Sequence, residues 1–78
     1  MRVRLLLFAT YRDIAGTGEL TLDLPASASA RDAVRVLRVS ASRIPAEPVI
    51  AINREYSDLD DVLNDGDELA LLPPVAGG

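Results

Sequence analysis

The chain ends Leu69-Ala70-Leu71-Leu72-Pro73-Pro74-Val75-Ala76-Gly77-Gly78. The apolar run Leu69 to Leu72 is too short for a helix and reads as a buried strand. Pro73 and Pro74 end it, because neither donates to a ladder and both favour extended polyproline geometry. Four residues follow, two of them glycine. Gly77 and Gly78 carry no Cβ, so the backbone and a terminal carboxylate can thread a narrow channel. From Pro73 to Gly78 the extended reach is about 20 Å. Residues 1–72 are therefore expected to form one domain, and residues 73–78 a flexible tail able to enter another protein's active site. A frayed, glycine-rich end is the competing reading of the same stretch. The residues upstream decide between them.

Just before the strand, Asp65-Gly66 is a turn signal closing an acidic segment, Asp58 to Asp67, in which Leu59, Val62 and Leu63 are expected to plug a core. An EF-hand reading with Gly66 as the sharp-turn glycine places the third and twelfth ligands on Leu63 and Leu72, both apolar. No metal site is expected. Further upstream, Val49 to Ile52 reads as a strand, followed by a tight turn at Asn53-Arg54 and a short strand from Glu55 to Ser57. Asn53 tolerates the left-handed conformation such a turn requires, and Arg54 does so less readily.

Ser29 with Asp32 three residues on forms an approximate capping box. The helix it opens buries Ala30, Ala33, Val34, Leu37 and Ala41 at helical spacing. Arg31, Arg35 and Arg38 share the other side, as a docking stripe or a solvated face. Pro45 restricts Ile44 and is expected to stop the helix. Earlier still, Leu20, Leu22 and Leu24 alternate with Thr21 and Asp23 in a half-buried strand ended by Pro25. Tyr11 to Gly18 reads as a connection. Its Gly-x-Gly leads into a strand rather than a helix, which disfavours a phosphate loop. In the first strand, Arg2 to Ala9, Val3, Leu5 and Leu7 share one face; Arg2, Arg4, Leu6 and Phe8 share the other.

One helix cannot cover both faces of a sheet, so an α+β roll with one bare face follows. Alternation puts Phe8 and Leu72 on that face, and Tyr56 is a third candidate. Three large apolar groups beside the tail root point to a partner-facing patch.

Composition narrows the chemistry. At 78 residues with 49% apolar content, the chain supports a single core. It contains no cysteine, no histidine and no lysine; all eight basic residues are arginine. Thiolate, imidazole and lysine Schiff-base chemistry are thereby excluded, and a self-contained enzyme is disfavoured. The net charge of −4 is the wrong sign for general nucleic-acid binding. No apolar run reaches membrane-spanning length and no signal-peptide pattern opens the chain, so a cytoplasmic protein is expected.

The residues Phe8-Ala9-Thr10-Tyr11-Arg12-Asp13-Ile14-Ala15-Gly16 resemble the F-A-x-x-R-[DE]-x-x-G opening of the MoaD family, the sulfur-carrier small subunits of molybdopterin synthase. Asp65-Gly66-Asp67-Glu68-Leu69-Ala70, followed by Pro73-Pro74-Val75-x-Gly77-Gly78, resembles that family's ending. Ser29-Ala30-Arg31-Asp32 and Val49-Ile50-Ala51-Ile52-Asn53 match as well, so the resemblance spans nearly the whole chain. It departs at Leu71 and Leu72, where family members often carry aromatic residues, and at Arg54, where glycine is frequent.

The resemblance implies a ubiquitin-like β-grasp: a mixed sheet of four to five strands packed on one main helix, with the first and last strands adjacent. It implies that the Gly78 carboxylate is adenylated by an E1-like adenylyltransferase using ATP, then thiocarboxylated by a sulfur donor protein, with no cofactor held permanently. It also implies a large catalytic subunit as partner, in a heterotetramer. Phe8, Tyr56, Leu72, Pro73, Pro74 and Val75 would contact it, and Gly77 would give the tail access. Carriers for tRNA thiolation or thiazole synthesis, a ubiquitin-like protein modifier, and a non-carrier interaction domain remain the alternatives.

Overall fold

The computed structural model describes residues 1–74. Strand β5 (Glu68–Leu72) lies in the middle of a five-stranded sheet, paired in parallel with β1 (Arg2–Leu7) and antiparallel with β3 (Val49–Ile52). Strands β2 (Glu19–Asp23) and β4 (Glu55–Ser57) flank them, giving the order β2-β1-β5-β3-β4. The first and last strands are neighbours, so the ends of the chain are joined through the centre of the sheet. This is the α+β, mixed-sheet β-grasp that the resemblance implies.

The period-2 pattern sorts the sheet's two faces as alternation requires. Val3, Leu5 and Leu7 on β1, Leu69 and Leu71 on β5, and Ile50 on β3 are buried on one side. They pack with Ala30, Ala33, Val34 and Leu37 of helix α2 (Ala30–Ser40), and Ala41, Ile44 and Leu63 complete the same core. Each fully buried leucine contributes on the order of 2 kcal/mol of apolar burial. Helix α2 begins at a full capping box. The Asp32 N–H donates to Ser29 Oγ at 3.2 Å, and the Ser29 N–H donates to Asp32 Oδ2 at 2.9 Å.

Four expectations need correction. The segment read as a connection contains a short helix, α1 (Ala9–Ala15), and β1 stops at Leu7 instead of reaching Ala9. Its N-cap, Phe8, makes no side-chain cap and no acid sits in its first turn, so it lacks the usual entry signals. Tertiary burial of Tyr11 holds it down, and Gly16 closes it in the left-handed conformation, φ 78°. Second, α2 ends at Ser40, five residues before Pro45; the Ala41 N–H caps back to the Leu37 carbonyl. Third, Val62 is 56% exposed; Leu63 alone of the expected plug is fully buried, with Leu59 partly so. Fourth, the arginines of α2 do not act alike: Arg35 is solvated, with its side chain 72% exposed, whereas Arg31 and Arg38 are engaged by neighbouring segments. Arg31 pairs with Asp60 and Glu47, each at 3.0 Å, and Arg38 Nε donates to the Ile44 carbonyl at 2.7 Å. They stitch the acidic segment and the helix exit to α2.

Candidate functional site: the bare sheet face

The face turned away from α2 carries the second half of every strand's alternation. Leu6 of β1 stands opposite Ala70 of β5, Ala70 opposite Ala51 of β3, and Ala51 opposite Tyr56 of β4. Two alanines therefore lie between larger side chains, and the row dips at its middle. The dip is a groove of about 310 Å³ lined by Leu6, Phe8, Ala51, Arg54, Tyr56, Glu68, Ala70 and Leu72. Phe8, Tyr56 and Leu72, picked out from alternation, come together here. Phe8 is 44% exposed and Tyr56 81%, a large aromatic surface for one small face.

Leu72 is half-buried and is the last residue of β5, so it both lines the groove and delivers the chain to Pro73. Pro73 is half-buried and Pro74 exposed. The expected contact Val75 and the expected reactive residues Gly77 and Gly78 lie outside the described residues.

The groove's charged edge could not be read from sequence. Glu68 accepts from Arg4 Nη2 at 2.8 Å and lies 3.7 Å from Arg54 Nε, with its side chain only 13% exposed. Arg4 also approaches Glu19 at 3.5 Å. Asn53 fixes the turn that carries Arg54. Its backbone N–H donates to the Glu68 carbonyl at 2.8 Å, its Oδ1 accepts from the Glu68 N–H at 3.0 Å, and its Nδ2 donates to Asp67 Oδ1 at 2.9 Å. These partners are fourteen and fifteen residues away, so no local pattern announces them. Ala51 and Ala70 were missed for a different reason: small residues on an expected strand carry no signal until their neighbours are known. The parity of β1 and β5 is the signal that would have found Ala70.

The arrangement suits docking. Among the described residues no three acidic side chains gather to hold a metal ion, and no polar side chain is buried. An apolar floor, exposed aromatics and a charged edge are the ordinary parts of a protein interface.

The chain matches the ThiS family model over residues 5–78. It is 36% identical to the molybdopterin synthase sulfur carrier subunit of Chlamydomonas reinhardtii, with all of both chains covered. Among solved structures it superposes on small archaeal modifier protein 1 of Haloferax volcanii with a TM-score of 0.84 at 28% identity, covering 95% of this chain and 98% of that one. It also superposes on a chain from the complex of subunits 1 and 2 of the molybdopterin-converting factor of Helicobacter pylori, with a TM-score of 0.72 at 25% identity and full coverage of both. With a family model spanning nearly its whole length and a full-length curated relative above 30% identity, the chain belongs to the ThiS family, as a MoaD-type member.

Proposed function

We propose that this protein is the sulfur-carrier small subunit of a molybdopterin synthase, working in the cytoplasm and not catalytic alone. The observation that carries the reading is the continuity of groove and tail. Leu72 lines the groove and leads directly into Pro73, so a partner seated on the sheet face meets the root of the tail. Full-length similarity to a curated sulfur carrier supports it. So does the superposition on a chain from a complex of two converting-factor subunits.

The chemistry assigned to the tail requires a free α-carboxylate on Gly78. A carboxylate is a poor electrophile because its leaving group would be oxide. An E1-like adenylyltransferase removes that obstacle: a Gly78 carboxylate oxygen attacks the α-phosphorus of ATP and pyrophosphate departs. The terminal sulfur of a donor protein's persulfide then attacks the acyl carbon and AMP leaves. A second thiol attacks the donor-side sulfur of the resulting acyl disulfide, forming a disulfide with the donor, and a thiocarboxylate departs on Gly78. The chain supplies reach and a side-chain-free terminus, while ATP belongs to the activating enzyme. The large subunit docks on Phe8, Tyr56 and Leu72, with Pro73, Pro74 and Val75 leading into its active site. There the thiocarboxylate gives its sulfur to the pterin precursor, within a heterotetramer. An anionic pterin phosphate calls for a basic pocket, and a carrier of net charge −4 complements it.

The deciding experiment incubates the protein with an activating enzyme, ATP and a sulfur donor, then weighs it intact. Gain of a species with one oxygen replaced by sulfur, together with co-purification of the large subunit, supports the reading. Absence of the thiolated species overturns it. A second reading, a protein modifier, is favoured by the likeness to small archaeal modifier protein 1. It predicts amide-linked adducts on lysines of other proteins, visible as Gly-Gly remnants after digestion with a protease that cleaves after alanine. Trypsin would instead leave residues 55–78, because Arg54 is the last basic residue.

A further inference from the structure

We propose that Arg54 is a specificity-determining contact for a carboxylate on the partner that docks in the sheet-face groove. The inference rests on the reading above, in which that partner is the large subunit. Asn53 and Arg54 occupy the two central positions of the β3–β4 hairpin, with φ of 50° and 70°. A two-residue turn with both central φ values positive is the type I′ geometry, where glycine is the favoured second residue. Arginine there keeps a Cβ in a left-handed conformation that L-residues adopt only under strain. Asn53 already fixes the turn through Asp67 and Glu68, so Arg54 is not what holds the hairpin in place.

Nor does Arg54 act chiefly as a counter-charge for Glu68. That carboxylate has a shorter partner in Arg4, at 2.8 Å against 3.7 Å for Arg54. The Arg54 side chain is 88% exposed. Among the described residues it makes no hydrogen bond, although a guanidinium presents five donors. It lines the groove together with Tyr56 and the two alanines. A fork of open donors next to an apolar depression matches a partner segment that places an aliphatic or aromatic group on the floor and an Asp or Glu beside it. When that carboxylate arrives, Glu68 retains Arg4, so the exchange strands no charge.

The test compares wild type with Arg54→Gly, Arg54→Lys and Arg54→Glu. Binding to the large subunit of the same organism is measured by calorimetry at low and high salt, and each chain is melted alone. Relief of the left-handed conformation should raise the melting point of Arg54→Gly by roughly 3 °C. The same variant should bind about ten-fold more weakly at low salt, and the deficit should shrink as salt rises. Arg54→Lys should recover part of the affinity, and Arg54→Glu should fall to about a hundredth of wild type by like-charge repulsion. Wild-type affinity in Arg54→Gly overturns the inference while leaving the carrier reading intact. A lower melting point in that variant also overturns it, because Arg54 would then be structural. Failure of wild type itself to bind overturns the docking reading, and this inference with it.

Discussion

Ala51 and Ala70 face each other across β3 and β5 on the side away from α2. They are 7% and 8% exposed without belonging to the main core. Their burial comes from taller neighbours on the same face, Leu6 and Tyr56 at the ends of the row and Leu72 beside it. The groove exists because these two side chains are methyl groups. Ala70→Phe should fill it from below without disturbing the core on the opposite face. The expected outcome is a melting point within a few degrees of wild type and large-subunit binding weakened about ten-fold or more. Unchanged affinity by calorimetry would remove the groove from the interface.

Leu71 and Leu72 are adjacent, chemically identical and oppositely placed: Leu71 is fully buried in the core and Leu72 half-buried on the groove. Arginine at the two positions should therefore give different results. Leu71→Arg places an unpaired charge in an apolar core and should abolish the folded state. Leu72→Arg should fold, as judged by circular dichroism, and lose affinity for the large subunit. Phe8→Arg should behave like Leu72→Arg. If Leu72→Arg also unfolds, the assignment of its side chain to the interface is wrong.

These contrasts show where the sequence was sufficient. The alternation of β1, the short apolar run of β5 and the Ser29–Asp32 box are local patterns, and the structure follows them. Phe8, Tyr56 and Leu72 were legible because each is large and apolar at a position whose parity points away from the helix. Helix α1 was not, since nothing near Phe8 caps it; what stabilises it is the packing of Tyr11, a tertiary effect. The charged edge of the groove was equally invisible. Arg4 and Glu68 are sixty-four residues apart, and only the parallel pairing of the first and last strands brings them together.

Asp32 gives a pH signature. Its carboxylate is held below the ordinary 3.8, first by the hydrogen bond from the Ser29 backbone, then by that from the Ser29 side chain, with Arg35 adding a smaller effect. A carboxyl whose folded-state pKa is depressed contributes stability above its unfolded value, and that stability is lost as pH falls through the folded value. The capping contribution should thus be intact at neutral pH and decline only below 3.8. Asp32→Asn keeps an acceptor but cannot titrate, so melting points from about pH 5 to about pH 2 should fall less steeply for the variant. Parallel curves for the two proteins would show that Asp32 does not contribute.

The carrier mechanism makes its sharpest demand at Gly78. The chain has no Cys, His or Lys to stand in for the terminal carboxylate. Deleting Gly78 withdraws that carboxylate by roughly 3.5 Å along an extended backbone. A misplacement on the order of 1 Å already slows a reaction about a hundredfold. Adding one residue after Gly78 keeps a carboxylate but carries it beyond its proper reach, on a residue with a side chain. Neither change touches the core built from β1, β3, β5 and α2, so both variants should melt like wild type. With an activating enzyme, ATP and a sulfur donor, wild type should gain the thiocarboxylate by intact mass and neither variant should. Both should still bind the large subunit through the groove, because docking and chemistry reside in different parts of the chain. Thiolation of the extended variant at the wild-type rate would mean that sulfur is not carried on the Gly78 carboxylate.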